Sequence, residues 1–217
     1  MANNIVAYIG IENFDYILYL ARILSKLDRK VLILESSNSK AFEYVFPSVN
    51  GINVNKEPVT YRHLDYGKFP LTDDIINVYD DILISYGMNG DVSEYCTRVT
   101  IVSDPFLHNL ATTKNMISQL LCKDKTVLIR NMISTNYGSK NISNELEGLI
   151  EKDKIDFVYL DESNLANAIR CVSEQSVVFV AINKELQSYL LKVAGMHYPD
   201  LKEKKLREAY KAARKGD

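Results

Sequence analysis

The sequence is short of cysteine, histidine, proline and glycine, and each shortage closes a class of answers. Its 217 residues include three cysteines, Cys96, Cys122 and Cys171. They are odd in number and far apart, and match neither a disulfide framework nor a metal-binding spacing. Reduced, mostly buried thiols in a cytoplasmic protein are expected, with no metal site. The three histidines, His63, His108 and His197, share no motif with carboxylates or cysteines. That argues against acid–base catalysis by histidine. No apolar run approaches the roughly 18 residues of a membrane span. The N-terminus lacks a basic segment and a cleavage signal, so secretion is not expected. No internal repeat, linker or low-complexity stretch divides the chain.

Charge is also nearly absent as a signal. Lys and Arg number 26 against 28 Asp and Glu, a net of −2. Nucleic-acid binding by this chain alone is therefore disfavoured. Most of the fourteen tyrosines have no basic patch around them. A core edge and a protein interface suit a ring with a polar tip. The adjacent pairs Asp73–Asp74 and Asp80–Asp81 read as solvated segments, because neighbours in a strand point to opposite faces and form no dyad.

What is present is an alternation of apolar runs with helical periods. NIVAYI (4–9) is a buried strand ended by Gly10. Phe14, Ile17, Leu18, Ala21, Leu24 and Leu27 recur at helical spacing, and VLIL (31–34) is a second buried strand. Residues 38–70 hold Pro47, Pro58, Pro70, Gly51 and Gly67. Loops, a short helix near 40–46 and a small edge strand are expected there. Strands follow at 81–86, 98–103 and 125–132, with helices at 109–121 and 142–152 between and after them. DFVYL (156–160) is a short strand and 164–172 a helix. SVVFVAI (176–182) reads as a sixth main strand or an extended lead into the helix of 183–195. The tail from 201 to 217 reads as a charged helix of net +4. The alternation predicts one α/β domain over residues 1–200, a three-layer sandwich around a mostly parallel twisted sheet, followed by the basic tail.

The order of elements, with its local phrases, resembles the ParA/MinD family of P-loop ATPases. LARILSKLDRKVLILESS (20–37), VYDDILISYG (78–87), CTRVTIVSDP (96–105) and KTVLIRNM (125–132) are similar to that family's phrases. The family's KGGxGKT motif falls without a gap on Tyr8 to Phe14, and only Gly10 survives. Its remaining glycines fall on Ile9 and Glu12, its second lysine on Asn13 and its threonine on Phe14. Such a loop needs glycines for its backbone wrap, a lysine for the phosphate charge and a hydroxyl for Mg²⁺. The family's aspartates fall on Glu35, Ser37 and Ser85. Asn131 alone matches a base-contacting residue, and a turn residue explains it equally well.

The resemblance therefore implies a ParA/MinD-like P-loop NTPase fold with a degenerate loop at Gly10, Glu12, Asn13 and Phe14. The expectation is a chain that is not an enzyme, uses no cofactor and works as a scaffold or localisation factor. Assembly of a pilus or secretion system is the first guess, through the TadZ/CpaE-type branch. A nucleotide sensor, or an enzyme with an unrelated pocket, is the alternative. Protein partners are implied, as a homodimer or a heterodimer with an active ATPase. The expected face spans residues 9–14 and 85–90, with Ile9, Ile11, Tyr86 and Met88 on it. A membrane surface is a weaker candidate, through residues 201–217, whose apolar stripe is thin.

Overall fold

Unbroken apolar runs need cover on both faces, and here they have it. The computed structural model describes residues 4–47, 53–88 and 92–215. The strands are β1 (Asn4–Gly10), β2 (Val31–Glu35), β3 (Val59–Tyr61), β4 (Leu64–Gly67), β5 (Asp81–Gly87), β6 (Arg98–Ser103), β7 (Lys125–Met132) and β8 (Ile155–Tyr159). They form one sheet in the order β3-β4-β2-β5-β1-β6-β7-β8. Every neighbouring pair is parallel except β3 with β4. The parallel sheet and single α/β domain agree with the sequence reading.

Side chains alternate between two cores. From β1, Val6 and Tyr8 enter one, while Ile5, Ala7 and Ile9 enter the other. The first core lies under α1 (Phe14–Ser25), α6 (Lys184–His197) and α7 (Glu203–Lys215). The second lies under α3 (Leu107–Gln119) and α4 (Ser139–Glu145), beside the single-turn α2 (Asp73–Ile76). Between β8 and α6 comes α5 (Glu162–Ser173). Asp161 caps it, accepting hydrogen bonds from the Ser163 and Asn164 amides. Eight tyrosines among the described residues are buried, so most of these rings are core material rather than surface.

Three regions sharpen or correct the sequence reading. Residues 59–67 give two strands where one was expected. The turn between them places Arg62 and His63 at φ 47° and 63°, the left-handed pair of a tight hairpin. The 3₁₀ turn Ala41–Tyr44 is the short helix expected nearby, while Gly51 lies outside the described residues. SVVFVAI is the extended lead, not a strand. The Asn167 Oδ1 of α5 accepts from the Val180 amide at 2.9 Å, and Arg170 donates to the Val178 carbonyl at 2.8 Å. Side chains thus replace a ladder, and Phe179 is driven between Tyr19 and Tyr210, at 4.6 and 5.7 Å between ring centres.

Asp81 is the clearest correction. Expected at a solvated strand start, it is fully buried. The end of α6 closes over it, setting His197 Nδ1 2.7 Å from its carboxylate and aiming the Tyr198 hydroxyl at the same group. The tail also has a place: Leu206, Ala209, Tyr210 and Ala213 of α7 are buried in the core shared with α1. The stripe that a membrane helix would use is thereby occupied. Among the described residues no helix is long and apolar enough to cross a membrane.

Candidate functional site

β1 sits where the strand order turns back on itself, between β5 and β6. In open α/β sheets ligands bind outside the strand ends at such a point. Gly10 ends β1 there with φ +108°. A Cβ on it would lie 2.0 Å from the Val102 carbonyl oxygen. Glycine is required here by the close approach of two strands. The Ile11 amide then donates to the same Val102 oxygen at 3.0 Å.

The next residue gives the loop its character. Glu12 folds back so that Oε1 accepts from the amides of Asn13 and Phe14, both at 3.0 Å. These are the first donors of α1, the groups that a bound anion would otherwise satisfy. The carboxylate also meets the positive end of the helix dipole. Asn13 is buried without a side-chain cap, and Phe14 packs edge-on against Phe42 at 6.2 Å.

Arg130 of β7 locks this arrangement. Its guanidinium donates to both oxygens of Asp15, at 2.9 and 3.1 Å, and to the Glu12 carbonyl at 2.8 Å. It also lies 4.4 Å over the Tyr16 ring. Burial works against the Arg130 charge, and Asp15, Tyr16 and Glu12 together outweigh it, holding the guanidinium above its ordinary pKa. Asp15 itself is buried. Beyond the pair is a small cavity of about 30 Å³, bounded by Asn131, Tyr159, Leu160 and Asp161 among others. Asn131 holds φ +59° where the pairing of β7 with β8 slips register. Asparagine tolerates that conformation better than most residues.

Glu35 lies at the end of β2 with its carboxylate turned inward. It accepts from the Tyr66 hydroxyl at 2.8 Å, the Phe42 amide at 3.1 Å and the Ser37 hydroxyl at 3.4 Å. Burial raises its pKa, while the bonds from Tyr66 and Phe42 pull the other way without winning. A carboxyl whose folded pKa is raised favours folding most below its unfolded value, and that contribution is lost as pH rises through the folded value. Glu35→Gln is therefore expected to flatten the fall in stability above the ordinary carboxylate range and to hold more stability at neutral pH. Urea midpoints of both proteins across a pH series check this; parallel curves would refute it.

The expected site residues are only partly brought together. Gly10, Glu12, Asn13 and Phe14 form one closed turn. Of the four expected interface residues, Ile9 and Tyr86 are buried, because alternation in β1 and β5 sends them into the core. Ile11 is half-buried and Met88 is exposed; residues 89 and 90 lie outside the described residues. The sequence reading missed Asp15 as a partner and Arg130 altogether. The signal was a charge in an otherwise apolar strand, VLIRNM. In this geometry the loop amides hold the chain's own carboxylate, and Arg130 is engaged by Asp15 and the Glu12 carbonyl. Among the described residues no three His, Cys, Asp or Glu side chains cluster to hold a metal.

No protein-family model and no curated protein matches the chain. Solved structures do. A ParA family ATPase from Chlorobium tepidum TLS matches with a TM-score of 0.65 at 16% identity, over 89% of this chain and 98% of that one. The MinC:MinD cell division protein complex of Aquifex aeolicus matches with 0.62 at 14%, over 88% and 96%. An ATP complex of McdA from Cyanothece matches with 0.53 at 12%, over 100% and 98%. At these identities the likeness establishes the fold. It also corrects one expectation: neighbours in fold are ATPases, and nothing in the geometry shows this chain to be catalytically dead, so the reading of a protein without enzymatic activity does not stand. The chain has the fold of the ParA and MinD P-loop ATPases.

Proposed function

We propose that this chain places or assembles a larger bacterial machine by docking a protein partner on the face at the carboxyl ends of its strands. One observation carries the reading. Each parallel strand of the central and β8 side is followed, at that face, by an apolar residue: Ile11 after β1, Met88 after β5, Phe106 after β6, Ile133 after β7 and Leu160 after β8. Met88, Phe106, Ile133 and Leu160 are each more than half exposed. Soluble chains keep apolar side chains of this size apart on their surfaces unless they meet a partner. With Glu12 occupying the first amides of α1, the face is arranged before any ligand arrives. An ATPase of the same fold is the first candidate partner. A pilus or secretion apparatus is the first candidate machine, because the resembled branch that serves such machines includes degenerate loops.

The test is a photo-reactive residue placed in cells at Ile133 or at Leu160, with Lys211 on the outer side of α7 as control. One discrete cross-linked protein from the first two positions, and none from the third, is expected. Mass spectrometry then names the partner. Cross-links that are absent, or as frequent from Lys211, would refute the docking face.

A further inference from the structure

The two edges of the sheet are treated differently. β3 has three residues, starts directly after Pro58 and turns back through Arg62 and His63, so it offers little ladder to another strand. β8 is five residues long, IDFVY, with neither proline nor lysine among them. It pairs with β7 on one side only. Its one charge, Asp156, would guard an edge if left bare. Lys192 of α6 neutralises it instead, at 2.7 and 2.9 Å. Beside the free edge runs a cleft of about 350 Å³ lined by Asp156, Phe157, Lys184, Glu185, Ser188 and Lys192, among others.

We propose that β8 pairs with β8 of a second copy of this chain, antiparallel about a twofold axis at Phe157, joining two eight-stranded sheets into one. The register follows from the alternation of a strand. Phe157 lies opposite its own copy, with Ile155 opposite Tyr159 on the same face. Aromatic and β-branched residues in those positions are favoured cross-strand pairs. Tyr159 is 40% exposed in the single chain and Phe157 half-buried, so both gain cover. Charge selects the occupant. The cleft carries two lysines and two carboxylates, so a strongly acidic or basic segment would leave half of them unmatched. A twofold copy presents the same four charges in reverse order, which is the self-complementarity an isologous interface needs. Ser188, between Lys184 and Lys192 on α6, keeps the middle of the cleft narrow in side chain and lets the two α6 helices approach.

Light scattering and amide hydrogen exchange on the full chain, across a range of concentrations, test the proposal. A dimer is expected, with the amides of Ile155–Tyr159 growing more protected as concentration rises. Tyr159→Lys, which alters an exposed ring, should weaken association by about tenfold, since twofold symmetry counts the lost pair twice. Its unfolding midpoint should stay near that of the parent. Met88→Asp, on the docking face proposed above, should leave the dimer intact, so the two readings fail separately. A strict monomer at every concentration would overturn the proposal. So would a dimer whose β8 amides exchange independently of concentration, or one lost in Met88→Asp and kept in Tyr159→Lys.

Discussion

His197→Ala is expected to destabilise the chain by about 3–5 kcal/mol, the cost of stranding a buried charge. Asp81 and His197 have side chains with no exposed surface, and their contact is 2.7 Å. Removing the imidazole leaves the Asp81 carboxylate in the core with the Tyr198 hydroxyl as its remaining side-chain partner. Water cannot reach it without breaking the junction of α6 with β5. Against a typical stability of about 5–15 kcal/mol, the loss is about a fifth of the whole at the least. Asp81→Asn should cost less, about 1–3 kcal/mol, because it removes the charge together with its need. Urea denaturation of the three proteins gives both numbers. A cost under about 1 kcal/mol for His197→Ala would show that the pair is not what fastens α6.

Arg130→Met has the second largest expected effect, again about 3–5 kcal/mol. The methionine keeps much of the stem that lies along Tyr16, and removes the bidentate contact to Asp15 and the bond to the Glu12 carbonyl. Asp15, 3% exposed in its side chain, is left without its cation. The double variant Asp15→Asn/Arg130→Met should recover most of the loss, because a neutral pair in the same volume no longer carries a buried charge. A double-mutant cycle in denaturant measures the coupling. Additive losses would mean that Arg130 acts through packing alone.

These two pairs also show where the sequence stopped being readable. Strands and helices were legible because β1 and β2 are nearly continuous apolar runs, β5 is mostly apolar and α1 has a helical period. Local order of this kind needs only neighbours. Partnerships across the fold were not legible. Asp81 and His197 are 116 residues apart, and Arg130 and Asp15 are 115 apart. No periodicity links such positions, so Asp81 was assigned to solvent and Arg130 to nothing. Val177 and Phe179 show a related limit: a β-rich run takes the form its surroundings allow, and here α5 supplies polar side chains in place of a strand. The depth of Ile9 and Tyr86 follows from the position of each inside a strand covered on both faces.

The turn of Glu12 onto its own helix has a consequence for any anion that approaches α1. The competitor is tethered one and two residues from the amides it holds. Its effective concentration there is at least on the order of millimolar, the range reached by short flexible tethers. An incoming anion binds only the fraction of molecules in which the carboxylate has swung away, and its apparent affinity falls by that fraction. The loop thus behaves as a receptor carrying its own ligand, and a partner that drew Glu12 outward would raise anion affinity with no contact to the anion itself.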